Sequence, residues 1–182
     1  MKKIPEEIRL KRLIKRLIVL FITGLILSGI TAFPIQTELN LLSKFLQNIN
    51  ADNELSRWVF QVSKAVSNTN HDYPFLAYGT DWLAFAHIVI AINFLGPLKD
   101  PIKNIWVIQF GIIACLAIFP LAFIAGAIRN IPFYWRIIDC SFGVFGGLLL
   151  WYCLKKIQKL ERIINVGLNP AMNAFIPRES IS

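Results

Sequence analysis

Two ionisable side chains lie inside long apolar stretches of this sequence, where charged groups are rare. His87 lies in the stretch GTDWLAFAHIVIAINFLGP, and Asp139 lies in WRIIDCSFGVFGG. A charge in hydrocarbon is costly, so such residues are candidates for a functional site. A histidine there could ligate a metal or haem, move a proton, or hydrogen-bond a neighbouring helix. An aspartate opposite it could act with it as an acid–base pair.

The spacing around His87 favours close contact with a second helix. Ala84 and Ala91 lie one turn before and after it on the same helix face, and their small side chains let another helix approach. His87 is expected about 12 Å below the outer end of its helix at 1.5 Å per residue. Asn93 points about 120° away from His87, so we expect it to contribute helix packing instead.

Asp139 lies above a groove of small residues. Gly143 and Gly146 follow it at four and seven positions, and Gly143 with Gly147 forms a GxxxG pair that favours helix packing. Arg136 precedes Asp139 by three positions, so an ion pair within one helix is the alternative to a contact with His87.

The remaining polar and small residues of the apolar stretches add little chemistry. Asp81 and Arg129 lie at the rim of their stretches, where we expect solvation, and Asp81 joins the candidate polar site with His87, Asp139, Arg136 and Asn93. The apolar run 104–128, which precedes the run with Asp139, contains small residues and a proline that should kink its helix. These residues are Gly111, Cys115, Ala122, Gly126 and Pro120.

The cysteines argue against a thiol oxidoreductase. Cys115, Cys140 and Cys153 include no CxxC pair, and we expect all three to be small buried residues. The sequence contains no phosphate-binding loop, zinc-type cysteine pair or nucleophile elbow. It therefore predicts neither a metal nor a cofactor and identifies no catalytic residue, and it leaves open whether the protein is an enzyme.

Composition and charge spacing predict the elements that position these residues. Of 182 residues, 55% are apolar and only 16% are charged, which is too few for an ordinary soluble domain. Runs without charge cover 21 residues at 17–37, 17 at 82–98 and 25 at 104–128, and 137–154 contains only Asp139. About 20 apolar residues span a bilayer as a helix. We predict an all-α integral membrane four-helix bundle, a single domain over 1–182 with spans near 13–33, 79–98, 105–127 and 136–154.

Basic residues predict the orientation. The N-terminal segment, the loop after the second span and the tail 155–182 hold 14 Lys and Arg, against 5 on the opposite side. The positive-inside rule then places both termini in the cytoplasm and the loop 34–78 outside. We expect a bacterial inner membrane. The basic start of the chain determines topology or lies on anionic lipid, so the net charge of +8 requires no nucleic acid partner.

The outer loop predicts two short amphipathic helices, near 37–49 and 53–67. In the first, Leu39, Leu42, Leu46 and Ile49 share one face, which should lie on the membrane surface or cover the bundle. Docking of a partner or gating of a substrate is the alternative. Ser43 lies outside that apolar face, so we expect it to tolerate a charge.

Three functions remain open. The chain could be a membrane subunit or scaffold that packs against partner helices or a second copy of itself. It could be transporter-like, or it could act on a lipid or quinone, with His87 and Asp139 in an outer-leaflet polar site. The abundance of small-residue faces and the small number of polar groups favour the first function.

Overall fold

The computed structural model describes residues 6–168, and in that range the chain is helical with no strand. The elements are α1 Glu6–Ala32, α2 Ile35–Asn48, α3 Glu54–Asp72, a 3₁₀ turn Pro74–Ala77, α4 Tyr78–Asn93, α5 Leu95–Lys99, α6 Ile105–Pro120, a π-helix Leu121–Ala125, α7 Gly126–Ile128 and α8 Phe133–Leu168.

Four helical segments are long and apolar enough to cross a membrane, as the charge-free runs predict. They are Glu6–Ala32, Pro74–Lys99, Ile105–Ile128 and Phe133–Asn165. The helices extend beyond the expected spans: α1 begins within the basic N-terminal segment, and α8 continues past residue 154. At 1.5 Å per residue, the 36 residues of α8 measure about 54 Å, so α8 exceeds the hydrocarbon thickness.

The described residues divide into two compact units. One comprises 6–21 with 93–168, and the other comprises 22–92. We refer to them as unit one and unit two. Unit one contains Asp139 and Arg136, and unit two contains His87.

Unit one is built on the contact between α6 and α8. A Cβ atom added to Gly143 would lie 2.7 Å from the carbonyl oxygen of Cys115, and one added to Gly146 would lie 3.1 Å from its Sγ. Gly111 of α6 is equally crowded, because its Cβ would lie 2.6 Å from Cδ1 of Leu150. Small residues on both helices therefore allow the two backbones to approach closely.

The start of α1 joins unit one through a regular apolar stripe. Leu10, Ile14 and Ile18, spaced by four residues, are almost completely buried. The Nζ of Lys159 lies 2.7 Å from a carboxylate oxygen of Glu6, which joins α1 to the last part of α8. The apolar stripe and this ion pair fix the N-terminal half of α1 in unit one.

In unit two, α2 and α3 form a hairpin whose contact is polar. Its turn contains Asn50 at φ 50°, a left-handed conformation that asparagine tolerates. Across the two helices, Ser63 Oγ donates to Asn40 Oδ1 at 3.1 Å, and Asn70 Nδ2 donates to Gln36 Oε1 at 2.8 Å. The helix α3 continues to Asp72 instead of ending near residue 67, which brings Asn70 opposite Gln36.

Some large apolar residues of α2 are exposed, while Leu39 and Leu46 are half-buried. Leu41 is 63% exposed and Phe45 is 59% exposed, whereas Oγ of Ser43 is buried without a hydrogen-bond partner in the described chain. The burial of this hydroxyl argues against the expectation that Ser43 tolerates a charge, because a charged group at the same place would lose its contact with solvent.

Candidate functional site: a polar groove beside a π-helix

The final turns of α6 depart from α-helical geometry at Pro120. Proline has no backbone N–H and cannot complete the regular hydrogen-bond pattern, and here a π-helix follows it over Leu121–Ala125. Such π segments are rare and often occur at functional sites. The kink predicted from Pro120 thus takes the form of a local change in helix type.

The chain then turns sharply between α7 and α8. Asn130 adopts φ 55°, and the N–H of Ile131 donates to the carbonyl of Gly126 at 2.9 Å. A left-handed asparagine after the last helical turn is a common way to end a helix. This turn brings Arg129 and Ile131 next to the first turns of α8.

A groove of about 310 Å³ lies where these segments meet. Its apolar lining residues include those of α6 and the π-helix, and its charged lining residues come from the turn and from α8. The lining residues are Ile118, Leu121, Ala122, Ala125, Gly126, Arg129, Ile131, Arg136 and Asp139. Two arginines and one aspartate give the groove a formal charge of +1.

Arg136 is held by the turn and does not pair with Asp139. Its Nε donates to the carbonyl oxygen of Ile131 at 2.7 Å. Its side-chain stem lies against Gly126, where an added Cβ would be 3.0 Å from Cδ of Arg136. Within residues 6–168, Arg136 and Asp139 form no ion pair, so the structure does not show the intrahelical pair considered from sequence.

The two other charged groups of the groove remain available to a ligand. Arg129 is exposed and Asp139 is partly buried, and in the described part of the chain neither side chain has a hydrogen bond or an ion pair. A guanidinium group binds phosphate or carboxylate through paired N–H donors. The groove therefore offers cationic donors, one anionic acceptor and apolar lining residues.

His87 lies in unit two and has a defined hydrogen bond. Its Nδ1 lies 2.8 Å from the carbonyl oxygen of Leu83. Because a carbonyl only accepts, the neutral ring carries its proton on Nδ1 and leaves Nε2 as an acceptor. On the same face, Gly29 of α1 approaches so closely that an added Cβ would lie 2.9 Å from the carbonyl oxygen of Ala84. A shared site of His87 with Asp139 stays a prediction.

The other sequence candidates occupy different environments. Asn93 is exposed at the end of α4, and Asp81 lines a separate cleft in unit two. Cys115, Cys140 and Cys153 are buried free thiols. Among residues 6–168, no three His, Cys, Asp or Glu side chains come together as a metal site would require.

Sequence reasoning missed the groove because Arg129 was interpreted only as a solvated rim charge. The available signal was the segment from Pro120 to Pro132, in which two prolines enclose a small-residue run and Asn130. Together these residues mark a helix that changes geometry and ends in a tight turn. No protein-family model matches this chain, and no match was found among curated proteins or solved structures.

Proposed function

We propose that this chain is a four-span integral membrane protein, with both termini cytoplasmic, that binds a phospholipid head group of the outer leaflet in the polar groove. One observation carries the proposal: a single groove is lined by two arginines and an aspartate together with apolar residues of α6 and the π-helix. A phospholipid has both a charged head group and apolar chains, so it can contact both kinds of lining residue.

Both arginines would bind the phosphate, Arg136 as a fixed group and Arg129 as an exposed one. Arg136 is fixed through Nε by the carbonyl of Ile131, so its terminal nitrogens are free to face the groove. Arg129 is exposed and approaches from the turn. A planar guanidinium group can donate two hydrogen bonds to a pair of phosphate oxygens, and a lysine ammonium does not match this geometry.

Asp139 and the π-helix would complete the recognition. The carboxylate of Asp139 accepts hydrogen bonds, so it suits a hydroxyl or amine on the head group next to the phosphate. Leu121 is 66% exposed and is one of the apolar lining residues, so an acyl chain can contact it. Phe133, Tyr134 and Trp135 follow at the start of α8, and aromatic residues favour the level of the head groups.

Native mass spectrometry of the full chain in mild detergent tests this function. Phosphatidylglycerol carries a phosphate and hydroxyls, whereas diacylglycerol has the same acyl chains without the phosphate. We expect the protein to retain the first lipid and release the second. Arg129→Gln should weaken phosphatidylglycerol binding by about tenfold, or about 1.4 kcal/mol, in line with the loss of a charge-assisted hydrogen bond.

Arg57→Gln is the matched control, because Arg57 is an exposed arginine of α3 in unit two. This variant should bind phosphatidylglycerol as the wild type does. Equal retention of the two lipids, or an equal effect of the Arg129 and Arg57 substitutions, would contradict the proposal.

A second candidate function is that of a membrane subunit that packs against partner helices, and the α2–α3 hairpin favours it. The hairpin pairs its polar side chains internally and leaves Leu41, Phe45 and Ile49 exposed. Large exposed apolar patches mark protein or membrane contacts. A stoichiometric membrane-protein partner that is lost in Phe45→Lys but kept in Lys44→Gln would support this function, and a wild-type chain that purifies alone would oppose it.

A further inference from the structure

Unit two contains a second cleft, of about 310 Å³, that shares no lining residue with the polar groove. It is lined by Phe33, Tyr78, Asp81, Trp82 and Phe85. Phe33 follows the end of α1, and the other residues belong to the first two turns of α4. Four aromatic rings and a single carboxylate therefore surround this space.

The rings on α4 contact one another edge to face. Tyr78, Trp82 and Phe85 follow each other at helical spacing. The Tyr78 and Trp82 centroids lie 6.0 Å apart at 82°, and the Trp82 and Phe85 centroids lie 5.9 Å apart at 90°. Trp82 is 57% exposed, so more than half of its surface is not covered by packing within the described chain.

The carboxylate among these rings has no protein counter-charge. Within residues 6–168, the carboxylate of Asp81 takes part in no hydrogen bond or ion pair. Asp100 provides a contrast, since its carboxylate lies 3.8 Å from Nζ of Lys103 and also accepts from the backbone. The cleft thus combines an uncompensated negative charge with the negative faces of aromatic rings.

We propose that this cleft binds a quaternary ammonium group. Aromatic faces attract a cation through their quadrupole, and aromatic cages are a known means of recognising methylated ammonium. The methyl groups contact the rings, and Asp81 supplies the opposite charge. The same chemistry is carried by the choline head group of a lipid and by a free organic cation, so the experiment includes a probe for each.

Fluorine NMR of the full chain in a maltoside detergent reports on the cleft directly. The chain has five tryptophans, and labelling them with 5-fluorotryptophan gives one resonance each. The spectrum of Trp82→Phe assigns the Trp82 resonance. Titration uses choline and its neutral isostere 3,3-dimethylbutanol, which has the same shape without the charge. We expect choline to shift the Trp82 resonance saturably and the isostere to leave it unchanged.

Two substitutions measure separately how much the carboxylate and the aromatic rings contribute to choline binding. Asp81→Asn should weaken choline binding by up to about fivefold, and Tyr78→Leu should weaken it by about two- to fivefold, the size of one exposed ion pair or cation–π contact. The matched controls are Asp100→Asn and Tyr73→Leu, which remove a carboxylate and an exposed tyrosine outside the cleft. Both controls should bind as the wild type does.

The source of the cation follows from a second probe. Saturable binding of dodecylphosphocholine with no response to choline assigns the cleft to a lipid head group, and a response to choline alone assigns it to a free cation. Either result supports the quaternary ammonium site. The proposal is overturned if neither probe shifts the Trp82 resonance, or if the neutral isostere shifts it equally. This comparison uses the wild-type chain, so it does not depend on the folding of any variant.

Discussion

Replacement of three glycines of α8 by alanine, one at a time, should reveal how closely α6 and α8 are packed. The added Cβ atom would lie 2.7 Å from the Cys115 carbonyl oxygen at Gly143, 3.1 Å from Cys115 Sγ at Gly146 and 3.5 Å from Cys115 Cβ at Gly147. The first distance is a clash with backbone, the second can be relieved by a small movement of the sulfur, and the third is ordinary contact. The order of destabilisation follows from these distances.

The magnitudes come from two opposing effects. Overpacking costs about 1–3 kcal/mol. Alanine in a helix gains about 0.5–1 kcal/mol over glycine. Gly143→Ala should therefore lose up to about 2.5 kcal/mol of stability, since the difference of these ranges runs from about 0 to 2.5 kcal/mol. Gly146→Ala should be close to neutral, and Gly147→Ala should be neutral or slightly stabilising.

A thermal assay with a thiol-reactive fluorophore measures this series without a functional assay. All three cysteines are buried, so they react when the protein opens. Gly24→Ala is the control, because nothing lies within 4 Å of a Cβ added there. The packing argument is refuted if Gly147→Ala is as costly as Gly143→Ala, or if Gly143→Ala matches the Gly24 control. The GxxxG pattern alone would have made Gly143 and Gly147 equivalent.

Three other outcomes are expected. Asn53→Ala should cost about 1 kcal/mol and speed hydrogen exchange in the first turn of α3, because Asn53 and Ser56 form a capping box. Arg136→Gln should lower the unfolding temperature in the thiol assay, because the Nε donation to the carbonyl of Ile131 is lost. A cysteine at Asn68 should react with an impermeant reagent in intact cells, and one at Arg162 should not, as the proposed orientation requires.

Each of these has its own control. Asn48→Ala removes an exposed asparagine at the end of α2 and should leave exchange in α3 unchanged. Arg57→Gln should leave the unfolding temperature unchanged. Unaltered exchange in Asn53→Ala, or unaltered unfolding in Arg136→Gln, would mean that the corresponding hydrogen bond contributes no stability. Labelling at 162 with protection at 68 would reverse the proposed orientation.

The four apolar segments were predictable because they are recognised from amino-acid composition alone. A run such as 104–128 has no charge and exceeds the length that a bilayer requires, so no tertiary information is needed. The helix ends were less predictable. Lys155 and Lys156 end the apolar run, but lysine is a good helix former, and α8 continues to Leu168. Charge marks the expected membrane boundary of α8 and not the end of its helix.

The polar groove was only partly predictable, because its geometry depends on a turn. Sequence spacing placed Arg136 one turn from Asp139 and suggested a pair between them. The left-handed Asn130 instead directs the carbonyl of Ile131 to Arg136, and the pair does not form. Local periodicity describes neighbours on one helix, but it carries no information about a carbonyl presented by the preceding loop.

The α2–α3 hairpin shows why amphipathic patterns alone do not decide which face of a helix is buried. Both faces of α2 are visible in the sequence, and the usual rule for water buries the apolar one. That rule depends on the free energy of removing apolar surface from water, and a membrane surface or a partner can cover an apolar face instead. The hairpin uses polar side chains for its internal hydrogen bonds, in which Asn70 donates to Gln36 and Ser63 donates to Asn40. Leu41 and Phe45 stay exposed, so this part of α2 is left for contact with the outer membrane surface or with a partner.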